Sequence, residues 1–324
     1  MAATFTFLML PPQTTITREW ARRLRQDLPD VRTVVAENEA DVEREIGGAE
    51  AAFGRIPDAL LARAERLRWL QAPQAAPPAG YYSEALVAHP VVVTNFREIF
   101  NDHIAAHIMA FVLAFARGLH RFIPLQLQRE WVQPPLDQGV VHLPESTVLI
   151  VGVGGIGAEA ARLCHEFGMT VLATDARRGS PPPGVAELHP PEALDELLPR
   201  ADFVVLTVPH TPATEGLMNR ARFQRMRSTA FFINIGRGMT TRLDDLVEAI
   251  RAGEIAGAAL DVFEREPLPA EHPLWTLPNV LITPHVAGYG PHLDERRYEI
   301  IADNCRAFAA GRPLRNEVDK HAWF

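Results

Sequence analysis

Short unbroken apolar runs alternate along the chain with stretches in which apolar residues recur at helical spacing. Runs of this kind read as strands buried on both faces, and their alternation with helices predicts an α/β fold with parallel sheets. In the first hundred residues the strand-like runs are 5–10, 33–35, 49–53, 69–72 and 91–94. An Arg-rich amphipathic helix is expected over 17–28 and a helix start at 57–64. Residues 101–117 predict one long helix, apolar nearly all round its second half and therefore buried. Residues 121–144, with Trp131 and several prolines, predict an irregular arm over the surface. Beyond them, strands are expected at 148–151, 170–174, 203–208, 230–235, 256–262 and 280–282. Helices are expected at 158–167, 191–198, 219–227, 243–252 and 293–310.

One stretch carries a more specific signal. The run TVLIV passes directly into Gly152, Gly154 and Gly157, spaced G-x-G-x-x-G, and an alanine-rich helical segment follows. The three glycines serve a tight turn, close backbone approach to a pyrophosphate, and tight packing of helix on strand. The helix then directs its unpaired N–H groups and positive dipole end at the phosphates. The next apolar run ends at Asp175, whose carboxylate can accept hydrogen bonds from both hydroxyls of an adenosine ribose. The middle of the chain is thus expected to bind a dinucleotide. Asp175 favours NAD over NADP, while Arg177 and Arg178 follow closely and could accommodate a 2′-phosphate.

Three polar residues stand where the last buried runs stop: Arg237 after FFINIG, Glu266 after ALDVFERE and His285 after VLITP. Successive strand ends on one side of a sheet converge on the crevice that holds the nucleotide. An arginine there can clamp a carboxylate bidentately, and a histidine can give and take a proton near neutral pH. A carboxylate beside that histidine can fix its tautomer and stabilise the imidazolium. Singly each has an ordinary reading; jointly they point to catalysis. His142, His189, His210, His272 and His292 have no such placement and read as ordinary surface or loop residues.

Composition narrows the picture. At 324 residues the chain can form two domains, and 47% hydrophobic with 22% charged residues is the make-up of a globular protein with a real core. A net charge of −8 with no basic cluster argues against nucleic acid as a partner. Cys164 and Cys305 are far apart in helical patterns and read as buried small hydrophobes in a reducing compartment. The N-terminus lacks a basic region before its apolar run, and no run approaches the length of a membrane span. A cytoplasmic location, with no metal and no membrane partner, is expected.

Over essentially its full length the chain resembles the D-isomer-specific 2-hydroxyacid dehydrogenase family. The segments that carry the resemblance are VTNFREIFNDHIAAHIMAFVLAFAR, VGVGGIGAEAARLCHEFGM with Asp175, LTVPHTPATEGLMN, FFINIGRG, ALDVFEREPLP and NVLITPHVAG. The closing RPLRNEVDKHAWF is similar to tails of glyoxylate/hydroxypyruvate reductase-like members. The resemblance implies two Rossmann-like or flavodoxin-like α/β domains with parallel sheets. A nucleotide domain (101–290) would be inserted into a discontinuous substrate domain (1–100 and 291–324), and the protein would be a homodimer. It implies Arg237, Glu266 and His285 as the catalytic trio, Gly155 and Ile156 on the pyrophosphate, Asp175 on the ribose and Asp261 by the nicotinamide carboxamide. Backbone N–H groups around Ala75 and Ala76 would hold the substrate carboxylate, with Tyr81 and Tyr82 setting side-chain size. The implied function is hydride transfer between NAD, with NADP possible, and a small 2-oxo or D-2-hydroxy acid.

Several positions depart from the family pattern. AAPPAGYY stands where many members have a Gly-x-Asp turn, Arg97-Glu98 where many have Pro-Gly or Arg-Gly, and Ala106 where many have glutamate. All bear on the substrate side. Glu266 in place of glutamine argues against a formate dehydrogenase-like reading. A rival of another class is a dinucleotide-sensing scaffold of the same fold, against which the intact trio speaks.

Overall fold

The computed structural model describes residues 4–75, 80–136 and 138–321. It divides into two compact units, Met1–Ile99 with Pro291–Phe324, and Phe100–Gly290.

The first unit carries a five-stranded parallel sheet. Its strands are β1 (Phe5–Met9), β2 (Val31–Val35), β3 (Ala51–Phe53), β4 (Trp69–Gln71) and β5 (Val92–Thr94), in the order β2-β1-β3-β4-β5. That order is the flavodoxin-like one. The first helix, Thr15–Asp27, starts on a reciprocal cap between Thr14 and Thr17 and buries Trp20, Ala21 and Leu24. The helix Leu293–Ala309 belongs to this unit. Phe308 meets Phe5 at 4.8 Å and Trp69 at 5.7 Å between ring centres, and Arg23 pairs with Glu295 at 2.6 Å. Each aromatic pair of this kind adds about 0.5–1.5 kcal/mol beyond its area burial.

The second unit is a seven-stranded parallel sheet: β6 (Thr147–Val151), β7 (Thr170–Thr174), β8 (Glu187–His189), β9 (Phe203–Leu206), β10 (Phe231–Asn234), β11 (Gly257–Leu260) and β12 (Val280–Ile282). Their order is β12-β11-β10-β9-β6-β7-β8. Alternate residues feed two cores. Val148, Ile150, Phe203 and Ile233 pack with the helices Asn101–Ala116 and Gly155–Glu166, whereas Leu149, Val204, Phe232 and Leu260 pack with Leu243–Arg251. Both faces are therefore covered, which is why these strands read as unbroken apolar runs. The chain order reverses between β6 and β9, and ligands of open α/β sheets bind outside the carboxyl ends at such a point.

Two sequence expectations change. Leu119–Gln128, expected to be irregular, is a helix that starts after Gly118 (φ +69°) and contains Pro124. A proline costs about 3 kcal/mol in a helix interior, so it reads as a breaker. Strand β8 is a three-residue, half-buried edge strand with no apolar run to announce it. Among the described residues no single helix is long and apolar enough to cross a membrane. Cys164 and Cys305 are both buried and free.

Candidate active site

At the end of β6 the chain turns through Gly152 at φ +92°, where a Cβ would meet Val208 Cγ1 at 2.8 Å. At Gly157 a Cβ would land on the Gly152 carbonyl, so only glycine lets the helix Gly155–Glu166 sit this close to the strand. Gly154 precedes that helix and offers it no side-chain cap, and beyond its own chain neighbours no described heavy atom lies within 4 Å of where its Cβ would be. A helix N-terminus with open space before it fits a pyrophosphate. Gly155 is exposed there, backed by the Asn101 side chain, and Ile156 is half-buried against the core.

Asp175 follows β7. Its Oδ2 accepts the Val153 N–H at 2.9 Å, and its Oδ1 accepts the N–H groups of Arg177 at 2.8 Å and Arg178 at 3.0 Å. Burial alone would raise its pKa, but these backbone donors, with the Arg178 charge, hold it below the ordinary value. A carboxylate has about four lone-pair positions, and three are taken. Asp175 Oδ2, with a single donor in the structure, keeps acceptor capacity for the ribose. The Arg178 guanidinium donates through Nε to the Val153 carbonyl at 2.6 Å. Asp175 and Arg178 line a cavity of about 640 Å³ together with Pro181, His189, Pro190 and Glu192. His189, given an ordinary reading from sequence, therefore stands on the cavity wall, its ring 2.9 Å from Glu187.

On the other side of the sheet, Asn234 at the end of β10 is fully buried and organises the turn that carries Arg237. Its side chain bonds Gly236 N–H, the Arg237 carbonyl, Thr240 and Thr241. Sequence reasoning passed over Asn234, although a polar residue inside FFINIG was the available signal. Arg237 donates Nη1 to the Gly236 carbonyl at 2.6 Å. Burial lowers its pKa and the nearby Glu266 charge opposes that.

Glu266 and His285 meet directly, with His285 Nδ1 2.7 Å from Glu266 Oε2, while Glu266 Oε1 accepts the Phe263 N–H at 3.0 Å. With Nδ1 committed to the carboxylate, Nε2 is the nitrogen left for a substrate oxygen. The histidine ring is half-exposed and its backbone is left-handed, φ +56°.

Asp261, at the end of β11, is 1% exposed. Its Oδ1 accepts the Thr283 hydroxyl at 2.6 Å and the Val286 N–H at 2.9 Å, and its Oδ2 accepts the Ala287 N–H at 2.9 Å. It therefore fastens the loop that carries His285. The implied substrate contacts of the first unit look different. The Ala75 carbonyl accepts the Asn95 amide at 2.9 Å, and Ala76 lies outside the described residues. Tyr81 is buried with its hydroxyl donating to the Gly54 carbonyl at 2.9 Å, so it packs within its own unit.

Comparison with known proteins bears on the same residues. Positions 109–287 match the model for the D-isomer specific 2-hydroxyacid dehydrogenase, NAD binding domain. The chain is 36% identical over 223 residues to the Homo sapiens glyoxylate reductase/hydroxypyruvate reductase, covering 68% of each chain. It is 34% identical over 293 residues to glyoxylate/hydroxypyruvate reductase B of Escherichia fergusonii, covering 88% of this chain and 86% of that one. A D-isomer specific 2-hydroxyacid dehydrogenase structure from Xanthobacter autotrophicus, in complex with NADPH and MES, aligns with a TM-score of 0.84 at 28% identity. The alignment covers 99% of this chain and 100% of that one. The glycine turn, the doubly covered sheet and these likenesses agree: the chain belongs to the D-isomer specific 2-hydroxyacid dehydrogenase family.

Proposed function

We propose that this protein reduces a small 2-oxo acid such as glyoxylate or hydroxypyruvate to the 2-hydroxy acid, or runs the reverse, with NAD(H). The observation that carries the reading is the 2.7 Å pair of His285 Nδ1 and Glu266 Oε2 at consecutive strand ends of a dinucleotide fold. A bound nicotinamide supplies the hydride to the carbonyl carbon. Gly152, Gly154, Gly155, Ile156 and Gly157 would hold the pyrophosphate, and Asp175 would accept from the adenosine ribose hydroxyls. In the reduction, protonated His285 gives the proton on Nε2 to the oxygen that becomes the hydroxyl, while Glu266 keeps the ring oriented and its charge compensated. Arg237 clamps the substrate carboxylate and aligns the carbonyl.

NADH is the preferred cofactor by a narrow margin, within about tenfold in kcat/KM over NADPH, because Asp175 and Arg178 bring opposite charges to one cavity. The functional unit is a homodimer. Leu127, Trp131 and Leu136, at 79%, 93% and 97% exposure, give the stretch after the helix Asn101–Ala116 the apolar surface that a second copy covers.

The test is a screen of 2-oxo acids with NADH and NADPH, followed by loss of reduced-nicotinamide absorbance. Turnover of glyoxylate or hydroxypyruvate with a modest NADH preference is expected. Tight dinucleotide binding without turnover of any 2-oxo acid would instead favour a sensing scaffold, and a higher kcat/KM with NADPH would overturn the cofactor assignment.

A further inference from the structure

A hydrogen-bonded chain runs from the helix Asn101–Ala116 to the loop of the proton donor. Thr283 Oγ1 lies 2.6 Å from Asp261 Oδ1 and 3.0 Å from His107 Nε2. A hydroxyl has a single proton, and a carboxylate acceptor at 2.6 Å takes it. Thr283 must therefore accept from His107, which fixes His107 as the Nε2–H tautomer. The three groups form one directed series, His107 to Thr283 to Asp261. Its far end also holds the Val286 and Ala287 N–H groups, on the C-terminal side of His285. On the N-terminal side the His285 N–H returns to the Thr283 carbonyl at 3.1 Å. His285 is thus fastened before and after, in a left-handed backbone conformation, φ +56°.

We infer that Thr283 and His107 are positioning residues for the His285 proton donor, acting through the buried Asp261 carboxylate. Rigid placement at the donor end comes from the helix, where the His107 ring packs edge-on against Phe111 at 4.6 Å. His107 itself is half-buried, and burial lowers its pKa although Asp261 opposes this. It serves as a fixed hydrogen-bond donor to Thr283. Removing the Thr283 hydroxyl leaves Asp261 a weaker hold on the loop and orphans the His107 donor. The imidazole then samples positions away from the substrate oxygen, and a displacement of about 1 Å at a reacting group can cost as much as about 10²-fold in rate.

This inference rests on His285 being the acid, so the experiment carries that control. Thr283→Val, Thr283→Ser, His107→Phe and His285→Ala are compared in the full-length protein for kcat and KM with glyoxylate. NADH dissociation constant and thermal midpoint are measured alongside. Thr283→Val is expected to lower kcat about 10–10²-fold with KM and NADH affinity within about threefold of wild type. Thr283→Ser, which keeps the hydroxyl, should recover kcat to within about threefold, and His107→Phe should fall between the two. Unchanged kcat in Thr283→Val, while His285→Ala loses turnover, would overturn the positioning role alone. A loss that Thr283→Ser does not recover, matched by equal losses in NADH affinity and thermal midpoint, would also overturn it. Full turnover in His285→Ala would instead remove the acid assignment itself.

Discussion

Asp175 and Asp261 end strands on opposite sides of the point where the seven-stranded sheet reverses its order, and they do comparable mechanical work in different surroundings. Asp175 gathers Val153, Arg177 and Arg178 N–H groups on the wall of an open cavity; Asp261 gathers the Thr283 hydroxyl and the Val286 and Ala287 N–H groups with 1% exposure. In both, three of about four acceptor positions serve the protein's own loop. The aspartates that resemblance assigns to cofactor contact are therefore also the posts on which the glycine turn and the His285 loop hang. Substituting either one disturbs a loop and a contact together. Among the described residues, Arg237 and Glu266 each make one side-chain bond to backbone, to the Gly236 carbonyl and from the Phe263 N–H, against three holds at each aspartate.

His285→Ala should show the largest effect, a fall in kcat of about 10²–10⁴-fold, the usual contribution of general acid–base catalysis. NADH affinity and thermal midpoint should stay at wild-type values, and a parallel loss of NADH affinity would erase the distinction between chemistry and scaffolding. Asp175→Ala comes next. It strands three backbone donors, so the NADH dissociation constant should rise about 10–100-fold, the scale of a charged hydrogen bond, and the preference over NADPH should narrow. Unchanged NADH affinity by titration would mean that the turn holds without its carboxylate. Glu266→Gln should be the smallest, because glutamine keeps the shape and can still accept from Nδ1–H. The neutral partner keeps the hydrogen bond but not the charge, so kcat should fall by less than about tenfold. A loss as large as that of His285→Ala would mean that the Nδ1 partner must carry a charge.

The contrast also explains what the sequence could and could not reveal. G-x-G-x-x-G and the buried runs around it are dictated by backbone sterics and two-sided burial, which act over a few adjacent residues, so β6 and β7 were legible from pattern. Arg237, Glu266 and His285 stand out in the sequence only as a set at strand ends; the structure joins Glu266 and His285 directly. Strand β8 and the His189 it carries were not legible: three half-buried edge residues after a proline-rich loop leave no periodicity to read. The helix Leu119–Gln128 was hidden by Pro124, a local breaker that the helix nevertheless contains. His107 and Thr283 lie 176 positions apart, and their hydrogen bond exists only through tertiary packing.

On the proposed function, the β10–β12 side of the sheet recognises a 2-oxo acid by its carboxylate. The direct test pairs each 2-oxo acid with the aldehyde or ketone that lacks the carboxylate, in wild type and in Arg237→Lys. The wild type should strongly prefer the acid. Arg237→Lys keeps the charge but loses the planar fork, and should cost about 1.5–3 kcal/mol in kcat/KM for the acid alone. Equal reduction of acid and analogue by the wild type, or a silent Arg237→Lys, would contradict recognition through the carboxylate.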